Sequence, residues 1–293
     1  MQDREPTVRS RELGAGLRLA MERAGLNGRE AAYLLGWSPS WVSRLLSGKR
    51  GGSALDIAAF LGVCRVKSPE RDRLLRLCQE QYVLGWLQQH GYRLPKELVT
   101  LINHENRAVQ YHDVQPLLVP GLLQTGDYAR EVISRVANVP AAEVDERVAA
   151  RLARQRLFNR DWPARFTFYL HEYALRLPVS GPGVMSDQLH HLLRMSVRSS
   201  VIVRVIPVSL GAHAATAGPF KLMEFAEFKP VVYLEDATFC LFLEKPEEIQ
   251  AYQHILDTLA ETALGEEDSR ELIATLAAEY SADREDQDQD ART

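Results

Sequence analysis

Along the first eighty positions the apolar residues fall in short stripes of helical period, each bounded by a capping signal. Leu13, Leu17, Met21 and Ala24 make one stripe over Ser10–Ala24, which Gly25 ends as a C-cap. Asn27 and Glu30 form a capping-box pattern for a second helix. Ser38 followed by Pro39 starts a third, with serine as N-cap and proline at the first helical position. Between these two stand Ala32, Gly36 and Val42, at the intervals of a helix-turn-helix: a small residue where the helices cross, a glycine for the positive φ of the turn, and an apolar residue closing the contact. Ala31, Leu35, Trp37, Val42 and Leu45 are assigned to the inside, which leaves Ser40, Trp41, Ser43, Arg44 and Ser47 on the outer face. Ser53 caps a fourth helix with Leu55, Ile57, Ala58 and Leu61 turned inward, and Ser68-Pro69 opens a fifth that reaches about Glu80.

Beyond that point the pattern changes. Residues 81–97 read as a joint whose aromatic residues Tyr82, Trp86 and Tyr92 pack onto the next domain. From 98 to 280 a mixed α+β domain is expected. Helices are placed around Leu101–Ala108, from Gly121, over Pro140–Asn159, Gly183–Arg198, Pro246–Ala263 and Ser269–Tyr280. An extended piece, Val114 to Val119, is cut by Pro116 and Pro120. Strands are placed at Phe166–His171 and Val201–Pro207. Phe220–Phe225, Val231–Glu235 and Phe239–Leu243 alternate as an antiparallel meander, so the sheet is expected to be antiparallel. Residues 1–9 read as a flexible arm and 281–293 as an acidic disordered tail.

With 293 residues, 46% of them apolar, the chain has enough material for two domains. Charge adds to the picture through its distribution. The net value is −4, yet residues 1–80 carry 14 Lys/Arg against 9 Asp/Glu, while 266–293 carry 3 against 10. A polyanion is therefore expected to be met at the front of the molecule. Cys64, Cys78 and Cys240 are odd in number and lack CxxC spacing, which indicates neither a disulfide framework nor a zinc site. The opening MQDREPTVRSRE has no apolar leader core and no run approaches a membrane span, so a soluble cytoplasmic protein without a membrane partner is expected.

The stretch GREAAYLLGWSPSWVSRLL, with its caps and flanking helices, resembles the lambda-repressor-like, Cro/C1-type (Xre) DNA-binding domain. The resemblance implies an all-α helix-turn-helix domain over 10–80 that binds double-stranded DNA, generally as a homodimer. Two departures stand out. Met21 and Leu46 replace an arginine and a glutamate that in that family make a buried ion pair, an exchange that is often neutral or stabilising when both partners go together. Gly28 replaces a glutamine that braces a phosphate, leaving the backbone N–H groups of the helix N-terminus for that task. Farther on, VPGLLQTGDYAR, RLARQRLF, HEYALR, VMSDQLHHL and VIPVSLGAHAATAGPFKLMEF followed by VVYLE resemble the C-terminal domain of actinomycete regulators of the WhiJ type. That resemblance implies a developmental or antibiotic-related transcriptional regulator. It also implies a small acidic partner protein encoded nearby, as in toxin–antitoxin pairs.

No catalytic constellation or cofactor loop is found, so an enzyme is not expected. His171-Glu172 begins an HExxH-like run that fails at Leu175, and His104-Glu105 fails at Ala108. His190 and His191 point to different sides of a helix, and Gly14-Ala15-Gly16 lacks the third glycine and preceding strand of a nucleotide loop. For DNA, Ser40 and Arg44 are assigned to base edges, with Arg44 suited to guanine O6 and N7. Pro39 and Trp41 are assigned to thymine methyls or sugar, unless Trp41 anchors on a neighbouring helix. Ser43 is assigned to a base or phosphate, Ser38 to the helix cap, and Arg29, Lys49 and Arg50 to phosphates. In the second domain Glu105, Gln124, Tyr128, Arg151, Arg154, Gln155, Glu172 and Arg176 are polar residues in apolar context. They read either as a network holding helix to sheet or as a pocket with an arginine ready for an acidic ligand or partner. Two functions follow: a dimeric sequence-specific regulator with signal input through its second domain, or an antitoxin-like module that binds a small partner and uses DNA for autoregulation.

Overall fold

The computed structural model describes residues 5–89, 95–135, 139–160, 164–236 and 239–290, with backbone only for 86–89, 95–97 and 286–290. The chain divides into two compact units, Met1–Leu87 with Glu227–Lys229 and Leu241–Glu248, and Gln88–Ala226 with Pro230–Cys240 and Ile249–Thr293.

The first unit is helical: α1 (Val8–Arg23), α2 (Gly28–Leu35), α3 (Pro39–Leu46), α4 (Ala54–Val63) and α5 (Glu70–Gln79). Its core joins Leu13, Leu17, Ala31, Ala32, Val42, Leu45, Ile57, Phe60, Leu61 and Leu74. Met21 and Leu46 are both buried in the same apolar cluster, as packed hydrophobes. Several local assignments need correcting. Leu55 is 80% exposed and Ala24 is exposed, because each stands where its helix has no neighbour to face. Helix α5 begins at Glu70 without a side-chain cap, and Ser68 Oγ donates instead to Asp72 at 2.7 Å. Helix α1 begins at Val8, inside the stretch read as an arm. Thr7 caps α1 by accepting from the Ser10 amide at 3.1 Å and donates to Gln81 O at 2.7 Å. Within the same unit the buried Glu244 carboxylate accepts from the Val8 amide at 2.7 Å and the Gly85 amide at 3.0 Å.

The joint contains a short strand, β1 (Trp86–Gln89). Of its aromatic residues Tyr82 is exposed, whereas Tyr92 and the Trp86 side chain lie outside the described residues. The chain continues through α6 (Pro95–Glu105), β2 (Ala108–Gln115), α7 (Gly126–Arg135), α8 (Val144–Arg154), β3 (Arg165–His171), α9 (Glu172–Arg176), α10 (Pro182–Ser196), β4 (Val201–Ile206), β5 (Phe220–Phe225), β6 (Val231–Glu235), β7 (Phe239–Leu243), α11 (Pro246–Thr262) and α12 (Glu266–Asp290).

The fold class is as read, a helical N-terminal region followed by an α+β domain, but the sheet is mixed rather than antiparallel. Its order is β1-β7-β6-β5-β2-β3-β4. β2, β3 and β4 run parallel, while β5 pairs antiparallel with β2 and β6. The parallel pairs arise because helices intervene between these strands and return the chain to the same end. β2 begins at Ala108, six residues before the extended piece expected. α9 was not anticipated. α12 continues ten residues past Tyr280 through what reads as a tail, tied by a Ser281–Ser186 hydroxyl bond of 2.8 Å and by Arg284 lying 3.9 Å from Asp187 on α10. The sheet edge at β4 is blunted: the Val205 amide donates to Ser269 Oγ and its carbonyl accepts from the Leu264 amide, both at 2.9 Å.

Candidate nucleic-acid interface

The turn between α2 and α3 follows directly from its residues. Gly36 adopts φ 67°, the left-handed conformation that ends α2, and its amide bonds back into the last turn. Ser38 Oγ accepts from the Trp41 amide at 3.2 Å, and Pro39 opens α3. At the other end, Arg18 on α1 donates to Leu46 O at 3.2 Å and so holds the helix by its free carbonyls. Gly14 lets α1 come against the same carbonyl. A Cβ at that position would lie 2.9 Å from the Leu46 carbonyl carbon and nearer still to its oxygen.

On this scaffold Ser38, Pro39, Ser40 and Ser43 are exposed, while Arg44 is half-buried with Nε donating to Ser40 O at 3.3 Å. Trp41 is turned partly inward. Its ring meets that of Trp37 edge-on at 3.8 Å, and the Arg50 guanidinium sits 5.9 Å over it. Trp41 is therefore an anchor for the loop that follows α3, and Arg50 lies over that anchor. Lys49 is 3.9 Å from the exposed Glu227 carboxylate. Arg29 is exposed at the start of α2, but Asn27 Oδ1 already accepts from the amides of Arg29 (2.9 Å) and Glu30 (3.1 Å). Two of the N–H groups assigned to a phosphate are thus taken by the cap.

The eight polar residues of the second domain form two hydrogen-bonded groups. In the first, Arg154 grips the fully buried Glu105 with both arms, Nε to Oε2 at 3.0 Å and Nη2 to Oε1 at 2.6 Å. Tyr111, on the strand behind, donates to Asp113 at 3.1 Å, and Lys221 lies 3.8 Å from that aspartate. Burial pushes the Tyr111 hydroxyl well above its ordinary range, with Asp113 and Glu105 adding to the effect. Burial works against the Arg154 charge, but Glu105 outweighs it and the guanidinium is held more firmly protonated than usual. Beside this network Arg151 donates to Gln124 Oε1 at 2.7 Å, and Gln155 Nε2 donates to Gln124 O at 2.6 Å. Tyr128 OH accepts from the Val119 amide at 3.2 Å. Sequence reasoning missed Lys221, Arg18 and the packing role of Gly14, because each acquires its partner only through tertiary contact, and it missed the local Tyr111–Asp113 pair, which alternation along a strand does not single out.

Residues 98–275 match a domain of unknown function, DUF5753, and residues 12–74 match a helix-turn-helix domain. The chain belongs to the DUF5753 family. No curated protein matches it. The DUF5753 match takes in both groups of polar residues, and the helix-turn-helix match takes in α1 from Glu12 onward, α2–α4 and the first half of α5. The N-terminal region is thus a module of DNA-binding type, followed by a DUF5753 domain. Among the described residues no helix is long and apolar enough to cross a membrane.

The second group in the DUF5753 domain lies around α9. Glu172 accepts from Arg176 at 2.6 Å and from the Val208 amide at 2.9 Å. Burial would raise its carboxyl, but these donors outweigh it and hold it below the usual range. Next to it His171 Nδ1 accepts from the Tyr173 amide at 3.1 Å, and His213 Nδ1 accepts from the Ala215 amide at 3.3 Å. The two rings stack 5.3 Å apart. Both hydrogen bonds require an unprotonated Nδ1. Burial lowers both pKa values, opposed at His171 by Glu172 and reinforced at His213 by the neighbouring ring. A folded pKa below the ordinary value of about 6.5 means that this pair supports the fold fully above that pH. The support is lost as pH falls through the folded values. An NMR titration of the imidazole protons is expected to place both below 6.5, and a His171→Asn/His213→Asn variant is expected to lose less melting temperature than the parent between pH 7 and 5.

Proposed function

We propose that this chain is a sequence-specific DNA-binding transcriptional regulator and not an enzyme, acting as a homodimer on inverted half-sites about one helical turn apart. The observation that carries the reading is α3 itself: a capped eight-residue helix, held at both ends, with Ser40 and Ser43 exposed and Arg44 at its surface. In this reading Ser40, Ser43 and Arg44 face base edges, and Arg29 and Lys49 contact phosphates. Trp41 and Arg50 support the helix from behind. The resemblance of both halves to actinomycete Xre-type regulators with a WhiJ-like domain supports the same assignment, and gives the DUF5753 domain the part of signal or partner input.

The test is a panel of duplexes altered one base pair at a time, with affinities read by fluorescence anisotropy at several salt concentrations. Arg44→Ala is expected to cost roughly 1–3 kcal/mol and to relax discrimination at one base position. Lys49→Ala is expected to weaken all duplexes alike and to flatten the salt dependence by about one ion. Identical behaviour of the two variants across the panel contradicts the assignment.

A further inference from the structure

Arg151 and Arg154 stand one turn apart on α8, yet they are treated differently by the fold. Arg154 has a carboxylate for both arms. Arg151 has a neutral amide for one, Gln124 Oε1 at 2.7 Å, and among the described residues no carboxylate lies within ion-pair distance of it. Burial, together with the charge of Arg154, pulls its pKa down to about 10, and Glu235 acts on it only from a distance. A half-buried cation in this condition is a cost to the empty protein unless an anion completes it.

The arm that is held is held rigidly. Gln124 is 3% exposed, its Nε2 donates to Val119 O at 2.8 Å, and its carbonyl receives Gln155. The arginine is thereby oriented before any ligand arrives. Its remaining N–H groups, on Nε and Nη2, have no acceptor among the described residues, and Gly121 leaves Nε uncrowded: a Cβ there would only reach van der Waals contact, 3.8 Å away. A guanidinium with two uncommitted N–H donors side by side suits a planar or tetrahedral oxyanion bound through two oxygens.

We infer that Arg151 is the anchor of a binding site in the DUF5753 domain for a small-molecule oxyanion, a carboxylate or a phosphate. This rests on reading that domain as the input unit and gives the input a chemical class. Binding is measured without DNA, so its failure is distinguishable from failure of the regulator reading.

The experiment follows thermal unfolding of the full chain at constant ionic strength, with millimolar phosphate or succinate set against chloride. The parent protein is expected to gain about 3 °C in one of the two anions, and which one identifies the source of the oxyanion. Arg151→Gln is expected to show no gain, and to melt in chloride no lower than the parent, since a half-buried cation without a carboxylate partner has been removed. Arg151→Lys keeps the charge without the fork and is expected to keep less than half of the gain. No gain with either anion, or equal gains in parent and Arg151→Gln, overturns the proposal. If Arg151→Gln does not fold, the Nε–H NMR signal of the parent that Arg151→Lys removes decides the matter. It must move with the anion, and a stationary signal overturns the site.

Discussion

Replacing Glu105 by alanine is expected to lower the unfolding free energy of the DUF5753 domain by about 3–5 kcal/mol. The carboxylate is completely buried and takes two hydrogen bonds from Arg154, whose side chain is only 9% exposed. Without it the guanidinium remains in the interior with no anion, and neither of its bonds is replaced by water. The Glu105 carbonyl receives a second arginine, Arg160 Nη2 at 2.7 Å, but that bond belongs to the backbone and survives the substitution. The desolvated charge therefore dominates the loss. A double replacement, Glu105→Leu with Arg154→Met, should recover most of it, because no charge is then left in the interior. Chemical denaturation of the three proteins checks this. A single-variant loss under about 1 kcal/mol, or a double variant no better than the single one, contradicts the account of the network.

Gly14→Ala is expected to be the most damaging small change in the helix-turn-helix domain, costing about 1–3 kcal/mol in stability through overpacking. The added methyl meets the backbone carbonyl of Leu46, which cannot rotate away as a side chain would. Relief requires α1 and the end of α3 to separate, which also loosens the Arg18 bond to that carbonyl. DNA affinity should therefore fall along with stability. Gly28→Ala is the control. Nothing lies within 4 Å of a Cβ there, so it should be neutral or stabilising by a few tenths of a kcal/mol. Equal melting temperatures for the two variants would show that the approach of α1 to α3 is not close.

What could be read beforehand was whatever is written locally. The caps at Asn27 and Ser38, the turn glycine and the packed Met21 and Leu46 follow from residues a few positions apart or from one stripe, and they appear where expected. Leu55 misled because its stripe position resembles that of Ile57, and only the arrangement of neighbouring helices leaves it outside. Trp41 lay on the outer face by periodicity, but a large ring beside Trp37 gains more from contact than from solvent. Parallel pairing of β2, β3 and β4 is not encoded in alternation, which reports the faces of a strand but not its neighbours. Glu105 and Arg154 were singled out as polar residues in apolar context, and their partnership across 49 positions needed the fold to bring α6 and α8 together. Glu172 and Arg176, grouped with them by chemistry, bond to each other and to the Val208 amide.

The central claim is that α3 is presented for reading a duplex. Its most direct test is selection of genomic fragments by the full chain, run beside a Ser40→Ala/Ser43→Ala/Arg44→Ala variant whose folding is checked by its melting temperature. The account predicts that the parent enriches a shared short sequence and that the folded variant loses that enrichment while still binding DNA weakly at low salt. Retention of the same sequence by the variant, or no enrichment by the parent, would contradict it.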